Sequence, residues 1–135
     1  MSDEVIRQAL EAHLASMPGA LAAAYENKTF KPSVGVPYWR VNILPAEPED
    51  AVHGSALVFE RGIFQVTLCY PDEAGTGGIE AMANDLKARF KRGTSLVRSG
   101  LTIIVMRHPS KSTGYIDGDR YCVAVSVVFQ VQVQT

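Results

Sequence analysis

The chain has little of what marks the most easily recognised classes of protein. Its 135 residues include only two cysteines and carry a formal net charge of -1 at pH 7. So few cysteines exclude a disulfide-stapled secreted scaffold, and the absence of a basic excess excludes duplex binding by bulk electrostatic attraction. No apolar run is long enough to cross a bilayer, and the opening residues lack the pattern of a leader peptide. We therefore expect a cytoplasmically made protein, with no membrane partner and two buried free thiols.

The sequence also lacks a nucleotide-binding motif, although a glycine-rich turn precedes a predicted helix. The turn, residues 75–78, has the sequence GTGG, and backbone N–H groups at such a position can bind an anion. A P-loop requires lysine and a hydroxyl residue after its last glycine, whereas Ile79 and Glu80 follow here. Asp72 and Glu73 would repel phosphate. We interpret the turn as a connector and predict no cofactor.

The residues most suited to catalysis are scattered along the chain. The three histidines have neither HxxxH spacing nor a nearby CxxC motif, so no metal site is predicted. The cysteines lie within predicted strands, and no GxSxG elbow is present. We predict no catalytic residue. A small catalytic or ligand-binding domain that uses these side chains stays the alternative hypothesis, and its candidates are His13, His53, His108, Cys69 and Cys122.

What the sequence does have is a regular alternation of helix and strand patterns. An amphipathic helix begins the chain and ends at Pro18, and a second one follows the glycine-rich turn. A strand starts at Tyr38, and a hairpin with its turn at Arg61 and Gly62 joins two further strands. The remaining predicted strands are 101–107 and 121–133. The pattern predicts a single α+β domain over residues 1–135, with a mostly antiparallel sheet and two helices packed on one face.

Three segments of this pattern are less regular. Residues 20–36 have an alanine-rich run typical of a helical turn, followed by a loop. Residues 108–119 are predicted to form a long loop in which Asp117 and Gly118 belong to a tight turn. The final strand is longer than its expected partner. Part of it is therefore predicted to be unpaired within one subunit, which would favour pairing with a neighbour.

Charge is concentrated in two segments. Five cations lie between residues 87 and 98, and the only acidic residue beside them is Asp85. They form either a solvated helix end, with an ion pair from Asp85 to Arg89, or a positive surface facing phosphate or an acidic neighbour. An acidic segment on another copy would supply that neighbour, and repeated heterologous contacts of this kind close a ring. The candidate interface or lumen residues are Lys87, Arg89, Lys91, Arg92 and Arg98 on the positive side and Glu47, Glu49 and Asp50 on the negative side.

Three stretches carry a resemblance to a known family: WRVNILPAEP, RGIFQVTLCYPDEAGTGGIEAMANDLKARF and YCVAVSVVFQVQV. With the first helix, they resemble the tail terminators, or minor tail proteins, of long-tailed bacteriophages, which prophages also encode. The resemblance covers most of the chain in element order.

The resemblance implies a non-enzymatic protein without cofactors. It implies a hexameric ring that caps the tail tube, stops its polymerisation and joins the head connector, so the expected partners are copies of this chain, tail tube protein and head–tail connector protein. DNA passing through the ring would be contacted without sequence reading. Such a protein is assembled in the host cytoplasm and ends in the virion tail. Another head-to-tail joining protein is a further alternative. The loops 45–55 and 108–119 would be docking surfaces or variable decoration.

Overall fold

The computed structural model describes residues 2–26, 28–45, 49–50, 57–71 and 75–134. Within these ranges two helices and nine strands are present, and neither helix is long and apolar enough to span a bilayer. The helices are α1 (Ser2–Ala15) and α2 (Gly77–Arg89). The strands are β1 (Ala22–Tyr25), β2 (Tyr38–Pro45), β3 (Glu49–Asp50), β4 (Leu57–Pro71), β5 (Ser95–Arg98), β6 (Leu101–Val105), β7 (Ser110–Lys111), β8 (Tyr115–Asp117) and β9 (Arg120–Gln134).

All of these strands belong to one sheet. Its main path runs β1-β2-β4-β9-β6-β5, with β3 paired to β4 and both β7 and β8 paired to β9. Only the β1–β2 pairing among them is parallel. The predicted α+β class with a mostly antiparallel sheet is confirmed.

The centre of the sheet is a long pairing of β4 with β9. It runs from Leu57 opposite Gln134 to Pro71 opposite Arg120. The predicted hairpin turn at Arg61 and Gly62 is therefore wrong, because β4 continues through both residues. A Cβ atom on Gly62 would lie 2.8 Å from Cζ of Phe129, so the glycine gives room to an aromatic ring on β9 instead of forming a turn.

The far edge of β9 is also paired. β6, β7 and β8 follow one another along it, at residues 129–131, 125–126 and 120–122 of β9. The predicted unpaired length of the last strand and the continuous loop over residues 108–119 are thus both corrected. The tight turn is confirmed, since Asp117 pairs with Arg120 and Gly118 has a φ of 62°.

The alanine-rich run forms a strand, not a helical turn. Residues 22–25 pair in parallel with residues 38–41 of β2. Alanine prefers helix by only a fraction of a kilocalorie per residue, which backbone pairing at the edge of a sheet readily outweighs.

Both helices pack on the same face of the sheet, as predicted. α1 lies against β5 and β6, while α2 lies against β4 and β9. Their apolar side chains share one core with the alternate residues of the strands. The largest fully buried members are Trp39, Phe64, Phe90, Leu10, Leu14, Leu68, Ile79, Leu86 and Ile103. We call the opposite side of the sheet the helix-free face.

Candidate functional site

The predicted cationic segment begins in the last turn of α2, where Arg89 binds the end of α1. Its Nε donates to the carbonyl oxygen of His13 at 3.1 Å, and its Nη2 donates to Oγ of Ser16 at 2.7 Å. The last carbonyls of a helix have no partner within the helix and carry its negative dipole end. Arg89 therefore caps α1. The predicted pair with Asp85 does not form, because the guanidinium points to the other helix.

His13 makes the reciprocal contact, with the end of α2. Its Nε2 lies 3.0 Å from the carbonyl oxygen of Arg89, so a proton on that nitrogen lets it donate to the end of α2. Its ring meets Phe90 edge-on, with the two centroids 4.9 Å apart. Burial lowers the pKa of His13, and the nearby Arg89 charge lowers it too, against the opposing effect of the hydrogen bond. Each helix thus caps the other, and His13 has a packing role.

The other four predicted cations lie in three different environments. Arg98, at the end of β5, donates from Nε to Oε1 of Gln8 on α1 at 3.3 Å. Lys87 is half-buried on α2. Lys91 and Arg92 are exposed in the turn that follows α2. Arg89 and Arg98 therefore both bind α1, at different points along it, and the two cations of the turn face solvent.

The predicted acidic residues lie only partly within the described ranges. Glu49 and Asp50 form β3, opposite Phe59 and Val58 of β4. The side chains of β3, the whole of Glu47, and His53 of the alternative hypothesis fall outside what the structure describes. Backbone pairing nevertheless fixes these two acids at the end of the sheet where β2 ends.

The two cysteines lie directly opposite each other on β4 and β9, on the helix-free face. Cys69 and Cys122 are free and fully buried. Burial and, to a smaller extent, the adjacent Cys69 together raise the pKa of Cys122 to about 12. Because the thiolate is the nucleophilic form, this pairing does not favour a catalytic thiol. The predicted buried free thiols are confirmed.

An ion pair crosses the helix-free face at the level of these thiols. Both Nη atoms of Arg40 on β2 lie 3.3 Å from Oδ2 of Asp117 on β8. β4 and β9 separate these strands, so a flat sheet would hold them roughly 14 Å apart. The contact requires the sheet to curl toward its helix-free side. Because both side chains are well exposed, the pair contributes at most about 1 kcal/mol.

Arg120 is the one charged side chain that is almost completely buried among the described residues, and the sequence analysis missed it. It donates from Nη1 to the carbonyl oxygen of Val36 at 2.6 Å and from Nη2 to that of Ser33 at 2.8 Å. Its guanidinium also lies over the Tyr38 ring, 5.1 Å from the centroid. The acceptors are backbone groups more than 80 residues away, so no side-chain pattern in the sequence could reveal them.

A cleft of about 360 Å³ lies over β1 and β2. It is open to solvent and mixes aromatic rings with charges of both signs. Its described lining includes neither cysteine and neither His13 nor His108, the residues on which the alternative hypothesis depends. Among the described residues no group of three or more histidine, cysteine or acidic side chains is placed to hold a metal ion. The cleft is lined by Tyr25, Glu26, Lys28, Phe30, Tyr38 and Arg40, among others.

Comparison with known proteins gives a family and a structural relative. The sequence model of a family described as phage tail terminator protein matches residues 5–129. A solved structure that is 28% identical matches over 100% of this chain and 99% of its own length, and it superposes with a TM-score of 0.79. Proteins of curated function gave no significant match. Since the family match extends over nearly the whole sequence, from α1 to the last third of β9, this chain belongs to the phage tail terminator family.

Proposed function

We propose that this protein assembles as a hexameric ring on the growing end of a phage tail tube, ends tube polymerisation and forms the joint to the head connector. The observation that carries the proposal is the family match over residues 5–129, since tail terminators are structural components of phage tails. A role in tail assembly follows from the family. The capping step, the ring, its number of subunits and the prophage origin are our inference.

The geometry is compatible with a structural role. The titratable side chains most suited to chemistry are used in packing: His13 caps α2, and Cys122 has a pKa of about 12. The family is structural rather than enzymatic, and these contacts give each such residue a place in the fold.

We assign the two exposed cations after α2 to passing DNA. Arg89 and Arg98 are engaged with α1, whereas Lys91 and Arg92 face solvent. Exposed cations at a lumen would contact phosphates without reading bases, and such contacts weaken as salt increases. A contact with an acidic neighbour is the competing outcome, and charge reversal at both positions separates the two. It should leave ring formation intact if the partner is DNA and reduce it if the partner is another subunit.

Tail length tests the main proposal directly. Tail tubes are assembled in cells that express the other tail genes, with or without this protein, and are measured by electron microscopy. We expect tubes of uniform length ending in a ring when the protein is present, and tubes of excessive length when its gene is deleted. Uniform tubes without the protein would overturn the proposal. Uniform but headless tubes would indicate a different head-to-tail joining role.

A further inference from the structure

The helix-free face carries a row of apolar side chains that crosses the sheet. Leu44 on β2 is opposite Ile63 on β4, and Ile63 is opposite Val128 on β9. Directly opposite residues point to the same face of a sheet. Met106, just after β6, donates its backbone N–H to the carbonyl of Val128 and so extends the row. Leu44 is 47% exposed and Met106 is 41% exposed, so the row faces solvent at both ends. We call these four residues the apolar row.

A second exposed apolar feature lies at the tip of the loop before β2. Val34 is 93% exposed and Val36 is 49% exposed. The tip is held firmly: Val36 N–H donates to the Ser33 carbonyl, and Arg120 donates to the carbonyls of both residues. Burying an arginine is costly unless its donors are satisfied. Arg120 donates to this loop, and these bonds hold the shape of a segment whose valines point outward. We call Val34 and Val36 the loop tip.

We infer that the loop tip of one copy docks on the apolar row of the next copy, and that this contact joins the subunits of the ring. The inference rests on the proposed function. A single chain presents two separate exposed apolar surfaces, one protruding and one flat. When the protruding surface of one copy covers the flat surface of the next, both are removed from water, which is favourable.

The positions of the two surfaces favour a head-to-tail contact. They lie at opposite ends of β2, which runs from Tyr38 beside the loop to Pro45 beside the row, a span of roughly 20 Å. Because the contact uses a different surface on each partner, repeating it generates a ring or a filament, not an isolated symmetric dimer.

Charge supports the same orientation. The loop carries Lys31, which is exposed and lies shortly before Val34. The row ends at Leu44, next to the end of the sheet where β3 places Glu49 and Asp50 beside β4. Docking of the loop tip would bring this lysine toward the acidic strand β3, and such complementarity sets orientation and speeds encounter. In this contact the acidic segment would lie at an interface, as the sequence predicts, but with a different cationic partner.

Two charge substitutions and their mixture test the contact. Val34→Glu disables the loop tip and Met106→Glu disables the row, and both side chains are exposed enough for the fold to tolerate the change. We expect each variant alone to self-associate at least about ten-fold more weakly than wild type in sedimentation velocity. Mixed one to one, they should form a heterodimer and stop there, because each contributes one intact surface. Ile116→Glu, at an exposed apolar residue of β8 outside both surfaces, should assemble as wild type does.

Other results overturn the inference. Normal self-association of either variant would do so, and so would a mixture that behaves as its separate components. Variants that assemble normally yet fail to end tubes would show that these surfaces contact a different protein.

A cross-linking experiment on tail tubes covers the case in which the free wild-type protein stays monomeric. A Val34→Cys/Met106→Cys double variant, oxidised while bound to the tubes, should give a ladder of linked subunits. Protein that binds the tubes without a ladder overturns this contact and leaves the proposed function standing. Protein that does not bind the tubes at all counts against the proposed function itself.

Discussion

Arg89 and His13 show how a residue predicted as a surface charge becomes part of the fold. Two helix ends with negative dipoles meet, and a guanidinium between them is favourable where a neutral side chain would leave carbonyls without donors. The sequence gives the charge of Arg89 and its position near a helix end. It does not give the partner, because i,i+4 spacing favours Asp85 and α1 is more than 70 residues away. A tertiary contact overrides the local one.

The lowered pKa of His13 predicts a pH dependence of stability. The unfolded chain has the ordinary histidine pKa of about 6.5, so below that pH the unfolded state binds a proton more readily than the folded state. The free energy of unfolding contributed by His13 is therefore complete above about pH 7 and declines as the pH falls through 6.5 toward the lower folded value.

Urea unfolding between pH 5 and 8 measures this dependence. The His13→Gln variant keeps a donor for the Arg89 carbonyl but does not titrate, so its stability curve should be flatter in that window. Equal slopes for wild type and variant would show that His13 does not titrate differently in the folded state.

Among the elements, β4 shows most clearly what a local pattern cannot decide. A glycine between two strand-like runs is the usual signal of a hairpin, and that prediction was wrong because Phe129 needs the space above Gly62. The alternation of Phe64, Val66 and Leu68 did predict the core face of the strand, since period two follows from strand geometry alone. The partner strand, β9, begins nearly 50 residues after β4 ends, and no residue near Gly62 predicts that pairing.

Gly62→Ala tests the close approach. The added Cβ would lie 2.8 Å from the Phe129 ring and 3.0 Å from the Leu44 carbonyl oxygen, and we expect a loss of about 1–3 kcal/mol in the free energy of unfolding. Chemical denaturation measures this loss in the free energy of unfolding. Gly93→Ala is an unsuitable control because its φ is 88°. Gly77, in the first turn of α2, provides a control, since a Cβ added there would meet no atom within 4 Å beyond its chain neighbours and its own helix backbone. A double variant with Phe129→Leu should recover part of the loss, and full additivity would disprove the contact.

For the whole molecule, the sequence predicted the class, the packing of the helices and the family, because these depend on periodicity and element order spread over the entire chain. The proposed assembly surfaces were harder to predict. The loop tip and the apolar row depend on which strands are neighbours, and Val34 and Met106 are ordinary apolar residues in the sequence. Curling of the sheet, which Arg40 and Asp117 reveal, also has no local signature.

The Arg120→Met substitution tests whether a buried residue affects both stability and assembly. The loss of charged hydrogen bonds to two carbonyls should lower the free energy of unfolding by about 2–3 kcal/mol. It should also speed hydrogen exchange at the Val36 amide, which the Ser33 carbonyl accepts.

The effect on assembly distinguishes this residue from an ordinary core position. We expect weaker self-association in Arg120→Met at temperatures where the variant is still folded, because the loop tip is no longer held in shape. A control of similar burial away from the loop, Ile103→Val, should lose about 1 kcal/mol of stability and associate normally. Equal association by both variants would show that the loop tip need not be rigid.

The long pairing of β4 with β9 has a mechanical consequence. Its hydrogen bonds lie perpendicular to the strands, so a pull along the strand direction stretches all fifteen residue pairs simultaneously, whereas a pull across them would break one pair after another. At the proposed joint between head and tail, the subunits would bear tension. If the ring aligns these two strands with the load, the subunit resists in shear, the direction in which a sheet is strongest.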